Sequence, residues 1–253
     1  YLKGGVFEDD LTVYPDAYNR FKYLIENFSV RSEDTGPIDI AWDGTYFWVI
    51  GLTTDSVYKY NASGVYQSVS FSVASQDTVP SGIAWDGTYF WVIGNSTDSV
   101  YKYNASGVYQ NVSFSVASQD TTPAGITWDG TYFWVVGTIT DSVYKYNASG
   151  VYQNVSFSTL SQDNYPAGIT WDGTYFWVVG GNSGSVYKYN ASGVYQSVSF
   201  SVASEETSPR GISFDGTSLW VIGYSSDSAY KYADVNGISP DTSFGAHNYV
   251  RVK

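Results

Sequence analysis

Residues able to do chemistry recur at regular intervals along this chain of 253 residues. The most specific are Asn-x-Ser/Thr sequons, the acceptor motif for N-glycosylation in secreted proteins. Turn formation is an alternative reason for some of them, because Asn is favoured before a turn that contains Gly. It does not account for Asn111 and Asn154, which fall inside a predicted outermost strand. We therefore predict glycosylation at all eight sequons, Asn27, Asn61, Asn95, Asn104, Asn111, Asn147, Asn154 and Asn190.

Acidic residues recur in three sets. The first set stands in Asp-Gly turns, one per repeat, at Asp43, Asp86, Asp129, Asp172 and Asp215. Catalysis or metal binding needs several acidic groups side by side, so we interpret this set as turn-forming. The other two sets lie in loops, at Asp34, Asp77, Asp120 and Asp163, and at Asp55, Asp98, Asp141 and Asp227. Their oxygens suit Ca²⁺, but their spacing matches no calcium loop, and we interpret them as solvated Asx turns.

No catalytic, cofactor or metal site is predicted from the remaining residues. The sequence has no Cys and a single histidine, His247, so neither a zinc site nor a Ser-His-Asp triad can be assembled. Tryptophans recur in pairs, as at Trp42 and Trp48, and either line sugar-binding pockets or fill the core; we favour the core. The repeated lysines, such as Lys59, are interpreted as solvated side chains on a tyrosine-rich surface.

The composition restricts the partners. Net charge is −12 without any basic cluster, which argues against nucleic acid and against an anionic membrane surface. No apolar run approaches the ~20 residues of a spanning helix, so membrane insertion is not expected. The chain begins at Tyr1 without a signal peptide, as expected either for a mature, processed product or for a chain whose start has been trimmed.

The elements that position these residues follow from one repeat. The segment WDGTYFWVIG begins at Trp42 and recurs, with small changes, every 43 residues up to Phe214. Within one unit we predict four strands, 82–86, 88–94, 100–104 and 108–116. They are rich in Val, Ile, Tyr, Phe and Trp and are separated by Asp-Gly and Ala-Ser-Gly turns. A repeated four-stranded antiparallel unit of this length predicts an all-β fold, a β-propeller.

We predict a single domain, with five repeats at 38–232 between terminal segments 1–37 and 233–253. Phe28 to Val30 match Phe71 to Val73 at the repeat spacing, so 23–30 is predicted as an outermost strand. Weaker matches place strands at 4–7, 11–16, 242–246 and 248–253. Since the length is just under six repeats, the terminal strands are expected to form a sixth blade together. The alternative is a five-bladed ring whose terminal strands pair with a neighbouring molecule.

The repeats also differ among themselves in a systematic way. The turn WDGTY and the segment SVYKYNASGVYQ are almost constant, whereas the loop after the second strand and the loop between units vary. In an up-and-down sheet alternate turns fall at opposite ends, so the constant turns share one face and the varied loops share the other. The varied face is either a contact surface or the result of drift in tolerant loops.

The repeat GIAWDGTYFWV…VYKYNASG resembles the six-bladed propellers of the NHL and virginiamycin B lyase-like group, and extracellular propellers with WDGxxWV repeats. Those lyases use His and acidic residues with Mg²⁺ on one face, and the repeats of this chain contain no His. The richness in Tyr, Ser, Thr and Asn without Cys also resembles secreted or surface proteins of archaea, including filament subunits.

These observations predict a non-enzymatic, secreted glycoprotein that self-assembles into an extracellular filament or surface layer. Its partners are further copies of itself and covalently attached glycans, and it needs no cofactor. One alternative is a carbohydrate-binding propeller that uses varied-loop residues such as Tyr165 and Tyr224. A lyase-like enzyme is the third alternative.

Overall fold

The computed structural model describes residues 21–234, which form twenty strands in five four-stranded antiparallel sheets. Each sheet is one blade. Blade one comprises β2 (Pro37–Trp42), β3 (Tyr46–Gly51), β4 (Ser56–Asn61) and β5 (Tyr66–Ser72). Blade two comprises β6 (Pro80–Trp85), β7 (Tyr89–Gly94), β8 (Ser99–Asn104) and β9 (Tyr109–Ser115). Blade three comprises β10 (Pro123–Trp128), β11 (Tyr132–Gly137), β12 (Ser142–Asn147) and β13 (Tyr152–Ser158).

Blade four comprises β14 (Pro166–Trp171), β15 (Tyr175–Gly180), β16 (Ser185–Asn190) and β17 (Tyr195–Ser201). Blade five comprises β18 (Pro209–Phe214), β19 (Leu219–Gly223), β20 (Ser228–Asp234) and, as its outermost strand, β1 (Phe21–Ser29). The four strands predicted within each repeat are therefore confirmed, and the first strand of each unit begins at the proline, two residues earlier than predicted.

The Asp-Gly turn forms because one carboxylate satisfies its free amide groups. Oδ1 of Asp43 accepts hydrogen bonds from the backbone N–H groups of Thr45 and Tyr46, at 2.8 and 2.7 Å. Gly44 has φ +96°, a backbone conformation that glycine tolerates best. This arrangement recurs in all five blades and sets the register of the first two strands.

Aromatic rings join each blade to the next. Trp48 of blade one lies with its ring centroid 4.7 Å from that of Phe90 in blade two, and the same contact joins blades two and three and blades three and four. Between blades four and five, Leu219 takes the phenylalanine's place in the core cluster of Trp177. Between blade five and blade one it is made by Trp220 and Phe47, at 4.8 Å. The last junction is therefore built like the first three, and the ring is closed with five blades.

The expectation of a sixth blade was wrong. Residues 23–30 do contribute an outermost strand, but β1 adds to blade five, where Phe28 is opposite Ala229. The length of the chain does not determine the number of blades, because that number depends on the angle between neighbouring blades that pack on each other. The alternative of a five-bladed ring is confirmed in its number of blades. It expected the terminal strands to pair with another molecule, whereas β1 pairs with β20 of its own chain. The strands predicted at 4–7, 11–16, 242–246 and 248–253 lie outside the described residues.

The prediction of two different faces is confirmed by the antiparallel order of each blade. We call the surface with the Asp-Gly and Ala-Ser-Gly turns the constant face. The varied face carries the loops at 52–55, 95–98, 138–141, 181–184 and 224–227, and the connections at 30–36, 73–79, 116–122, 159–165 and 202–208.

Candidate binding site on the varied face

A pocket of about 330 Å³ opens on the varied face, where the innermost strands of the blades begin. Each blade contributes the residue that follows the first proline of its innermost strand, and these residues are Ile38, Ser81, Ala124, Ala167 and Arg210. The second-to-third loops add Leu52, Asn95, Thr138 and Tyr224, and the connections add Val79, Thr122 and Tyr165. The lining thus comes from the positions at which the repeats differ most.

A buried carboxylate lies one residue further along the first innermost strand. Asp39 is 3% exposed, and its equivalents in the other blades are all glycines. Its oxygens accept hydrogen bonds from the N–H groups of Ile40 and Ile83, both at 2.8 Å. A methyl group at Gly211 would lie 2.1 Å from Oδ1 of Asp39, so this position needs glycine. One side chain therefore joins the innermost strands of different blades.

Burial raises the pKa of the Asp39 carboxyl well above its usual value, although the N–H groups of Ile83, Ile40 and Ile212 act in the opposite direction. Sequence analysis missed this residue. The available signal was the replacement of the repeat's glycine by Asp in PIDIAW, where the next unit has PSGIAW.

The acidic residues of the Asp-Gly turns have the structural role predicted for them. Besides holding the turn, Oδ2 of Asp43 accepts a hydrogen bond from Nε1 of Trp48 at 2.7 Å. The same pair occurs in every blade, between Asp86 and Trp91, Asp129 and Trp134, Asp172 and Trp177, and Asp215 and Trp220. These carboxylates therefore satisfy the indole N–H groups of the tryptophans that pack between blades.

The acidic residues of the connections are Asx turns, as predicted, but they are buried instead of solvated. Asp77 is 3% exposed; its Oδ1 accepts from the N–H of Val79 and its Oδ2 from the N–H and hydroxyl of Thr97. Each such residue thus ties a connection to the neighbouring varied loop. Glu206 replaces Asp in blade five, where its oxygens accept from Ser208 and Ser226.

The third acidic set is explained by backbone geometry. Asp55, Asp98, Asp141 and Asp227 have φ between 49° and 52°, and the fourth repeat has Gly184 at this position with φ +59°. In each of these four residues Oδ1 is buried and has no hydrogen-bond partner among the described residues. Burial raises the pKa of the Asp98 carboxyl, and the neighbouring Asp120 and Asp77 raise it further. Within residues 21–234 no group of three acidic or histidine side chains could hold a metal ion.

The tryptophans fill the core, as predicted: Trp48 is 3% exposed and Trp42 packs on Phe47 with ring centroids 4.5 Å apart.

The interpretation of the lysines was wrong. The Nζ atom of Lys59 lies 3.6 Å from the ring centroid of Tyr46, a cation–π contact that recurs in blades two to four. In blade five Ser218 takes the tyrosine's place, and Lys231 instead forms an ion pair with Glu26 at 2.8 Å.

The predicted glycosylation sites occupy three regions. Asn61, Asn104, Asn147 and Asn190 lie on the constant face, each with Oδ1 bonded inside its turn. Asn27, Asn111 and Asn154 are exposed on outermost strands. Asn111 and Asn154 have φ +54° at irregularities of the strand pairing, a conformation that Asn tolerates. Asn95 is alone on the varied face, and its Nδ2 donates to the Pro123 carbonyl at 3.2 Å.

Two further expectations concern the role of His247 and membrane insertion. His247 lies outside the described residues. For membrane insertion, residues 21–234 contain no helix that is long and apolar enough to span a bilayer.

No protein-family model matches the sequence, and a search of curated proteins found no match either. Solved structures do share its fold. Streptogramin B lyase has a TM-score of 0.53 at 15% identity, over 86% of this chain and 99% of that one. Virginiamycin B lyase from Staphylococcus aureus has a TM-score of 0.51 at 18% identity, over 78% of this chain and 66% of that one.

Glutaminyl cyclase from Myxococcus xanthus is also similar, with a TM-score of 0.65 at 10% identity, over 84% of this chain and 95% of that one. At such identities the similarity shows a shared β-propeller fold and no activity. The resemblance to virginiamycin B lyase-like propellers thus holds for the fold.

Proposed function

We propose that this protein is a non-enzymatic, secreted structural glycoprotein that self-associates through its varied face into an extracellular filament or surface layer. The observation that carries the proposal is the set of large apolar side chains exposed there. They are Val79, Ile139, Leu160 and Tyr224, with exposed fractions of 39%, 65%, 58% and 41%. Among residues 21–234 the constant face exposes only valines at its Ala-Ser-Gly turns, Val65, Val108, Val151 and Val194, whereas the varied face exposes the larger Ile139, Leu160 and Tyr224. Large exposed apolar side chains are typical of a protein contact.

The distribution of sequons supports the same face. Glycans on the Ala-Ser-Gly turns and on the outermost strands would cover the constant face and the rim. The varied face has one sequon, and the amide nitrogen of Asn95 is already engaged with a backbone carbonyl. Glycosylation would therefore leave the varied face as the uncovered surface.

A structural role is further supported by the use that the fold makes of its acidic groups. The carboxylates of Asp43 and Asp77 and their equivalents accept hydrogen bonds from turn amides, loop amides and indole groups. Such groups hold the blades and loops in place. Filament growth requires the varied face to present two different patches, one to each neighbouring copy, because a patch that contacts only its own equivalent closes as a pair.

Electron microscopy and sedimentation velocity of the full chain, secreted from a glycosylating host, test the proposal. Ile139→Glu/Leu160→Glu places two charges on the varied face, and we expect it to abolish assembly. Val108→Glu/Val151→Glu is the matched control, because both valines are 57% exposed on the constant face. Monomers at every concentration in the parent protein, or assembly that survives the first variant, would contradict the proposal.

Carbohydrate binding is the second candidate, and the pocket favours it. Its lining combines apolar walls with two tyrosines from the varied loops, Tyr165 and Tyr224. Aromatic and polar groups in a concave site are typical of small-ligand binding. A glycan array with the parent protein and Tyr165→Ala/Tyr224→Ala tests it; binding that persists in the variant excludes this pocket as the site.

A further inference from the structure

In the part of the chain that the structure describes, Arg210 is the one cation that lines the pocket described above. The guanidinium carbon of Arg210 lies 5.6 Å from the ring centroid of Tyr165 and 5.7 Å from that of Tyr224. Its Nη1 donates to the hydroxyl of Tyr165 at 3.0 Å. The two rings therefore hold the guanidinium between them in a fixed orientation.

Among residues 21–234 the guanidinium has no anionic partner. Its Nε is buried without a hydrogen-bond partner, and no carboxylate in residues 21–234 forms an ion pair with it. Glu206 is the acidic residue closest in sequence, but its oxygens accept from the N–H groups of Ser208, at 2.6 Å, and Ser226, at 3.0 Å. A buried donor without an acceptor is costly, and a ligand that supplies the acceptor removes that cost.

The other polar groups of the pocket are largely occupied. The hydroxyl of Ser81 and the amide of Asn95 both donate to the Pro123 carbonyl, at 2.7 and 3.2 Å. The hydroxyl of Thr138 donates to the Thr122 carbonyl at 3.0 Å. Ile38, Leu52 and Val79 are among the apolar residues of the wall. The pocket thus offers one strong donor and an apolar surface, with few donors for a ring of neutral hydroxyls.

We propose that this pocket binds a small carboxylate whose body packs on the apolar wall and whose oxygens bond Arg210. A carboxylate matches the guanidinium because two parallel N–H···O bonds can form. The carboxylate belongs either to a simple organic acid or to an acidic sugar. This inference rests on the second candidate function and deepens it by naming the ligand chemistry.

Ligand-observed NMR and calorimetry on the full chain test the proposal with four probes: phenylacetate, 2-phenylethanol, glucuronate and glucose. We expect binding of one or both carboxylates and at least about tenfold weaker binding of the neutral partner of each. Phenylacetate alone identifies an organic acid, and glucuronate alone identifies an acidic sugar. Equal binding of the charged and neutral partners, or no binding of either carboxylate, overturns the proposal.

Arg210→Gln should weaken carboxylate binding by about tenfold or more. Arg31→Gln is the matched control, because it removes the same charge from a varied-face connection outside the pocket, where Arg31 is paired with Asp227. Tyr165→Phe removes only the hydroxyl that accepts from Arg210 and provides a test if Arg210→Gln does not fold. We expect it to weaken the carboxylate more than its neutral partner, and unchanged carboxylate binding in Tyr165→Phe and in any folded Arg210→Gln overturns the proposal.

The assay also separates this inference from the candidate function on which it rests. Phenylacetate binding that depends on Arg210, without binding of any glycan, supports the carboxylate site and rejects carbohydrate recognition. Glycan binding that is insensitive to Arg210→Gln supports carbohydrate recognition and rejects the carboxylate site.

Discussion

Truncation of Phe28 tests how the ring is closed. This side chain is 7% exposed, and its ring centroid lies 5.3 to 5.7 Å from those of Phe47, Tyr60 and Trp220. It therefore joins β1 to blade one and blade five at once. Removing a buried phenylalanine costs about 3–5 kcal/mol, a large part of the ~5–15 kcal/mol by which domains are stable.

We expect Phe28→Ala to lower the free energy of unfolding by about 3–4 kcal/mol. The matched variant is Phe71→Ala, at the equivalent position of blade one, where the ring contacts Trp48, Phe90 and Tyr103. If β1 completes blade five as β5 completes blade one, the two variants should agree within about 1 kcal/mol. Val69→Ala, at a position that is 44% exposed, should change stability by less than about 0.5 kcal/mol.

The assay is urea unfolding followed by tryptophan fluorescence at several protein concentrations, with every variant made in the Ile139→Glu/Leu160→Glu background, where self-association is not expected to contribute. A midpoint that does not depend on concentration is expected, because β1 belongs to the same chain as its partner strand. A loss below about 1 kcal/mol in Phe28→Ala, with a full loss in Phe71→Ala, would refute closure by β1. A concentration-dependent midpoint would indicate that the strand comes from another copy.

Three further predictions concern single positions. Asp98→Gly should stabilise the protein by about 1 kcal/mol, because glycine tolerates the left-handed backbone conformation and the change removes a buried oxygen without a hydrogen-bond partner. Gly184→Asp, at the equivalent position, should destabilise the protein by a similar amount, and thermal unfolding measures both effects. The raised pKa of Asp39 means that the folded protein keeps a proton that the unfolded chain has lost. The unfolding free energy of the parent relative to Asp39→Asn should therefore fall as pH rises from the ordinary value of 3.8 through the folded pKa, and a flat difference in denaturant titrations would contradict this. After secretion from a glycosylating host, mass spectrometry of peptides should find a higher glycan occupancy at the exposed Asn111 than at Asn95, whose amide nitrogen donates to a backbone carbonyl; the reverse order would refute this reasoning.

Much of the fold could be predicted because its determinants are local. Asp-Gly and Ala-Ser-Gly fix turns, alternating turns fix which loops share a face, and the match of Phe28 to Phe71 reveals an outermost strand. The core role of Trp48 also follows from its neighbours in sequence. The site could be predicted only in part: variation among the repeats indicated the face, and Tyr165 and Tyr224 were named as candidates, but Arg210 and Asp39 were not.

The sequence by itself determined the blade, since each strand and turn depends on residues within one repeat of 43. Only the tertiary structure decided the number of blades, because closure depends on the angle set by contacts such as Trp220 with Phe47, from opposite ends of the described chain. It likewise decided that single residues from different blades meet in one pocket. Those residues lie about one repeat or more apart, and only the closed ring brings them together.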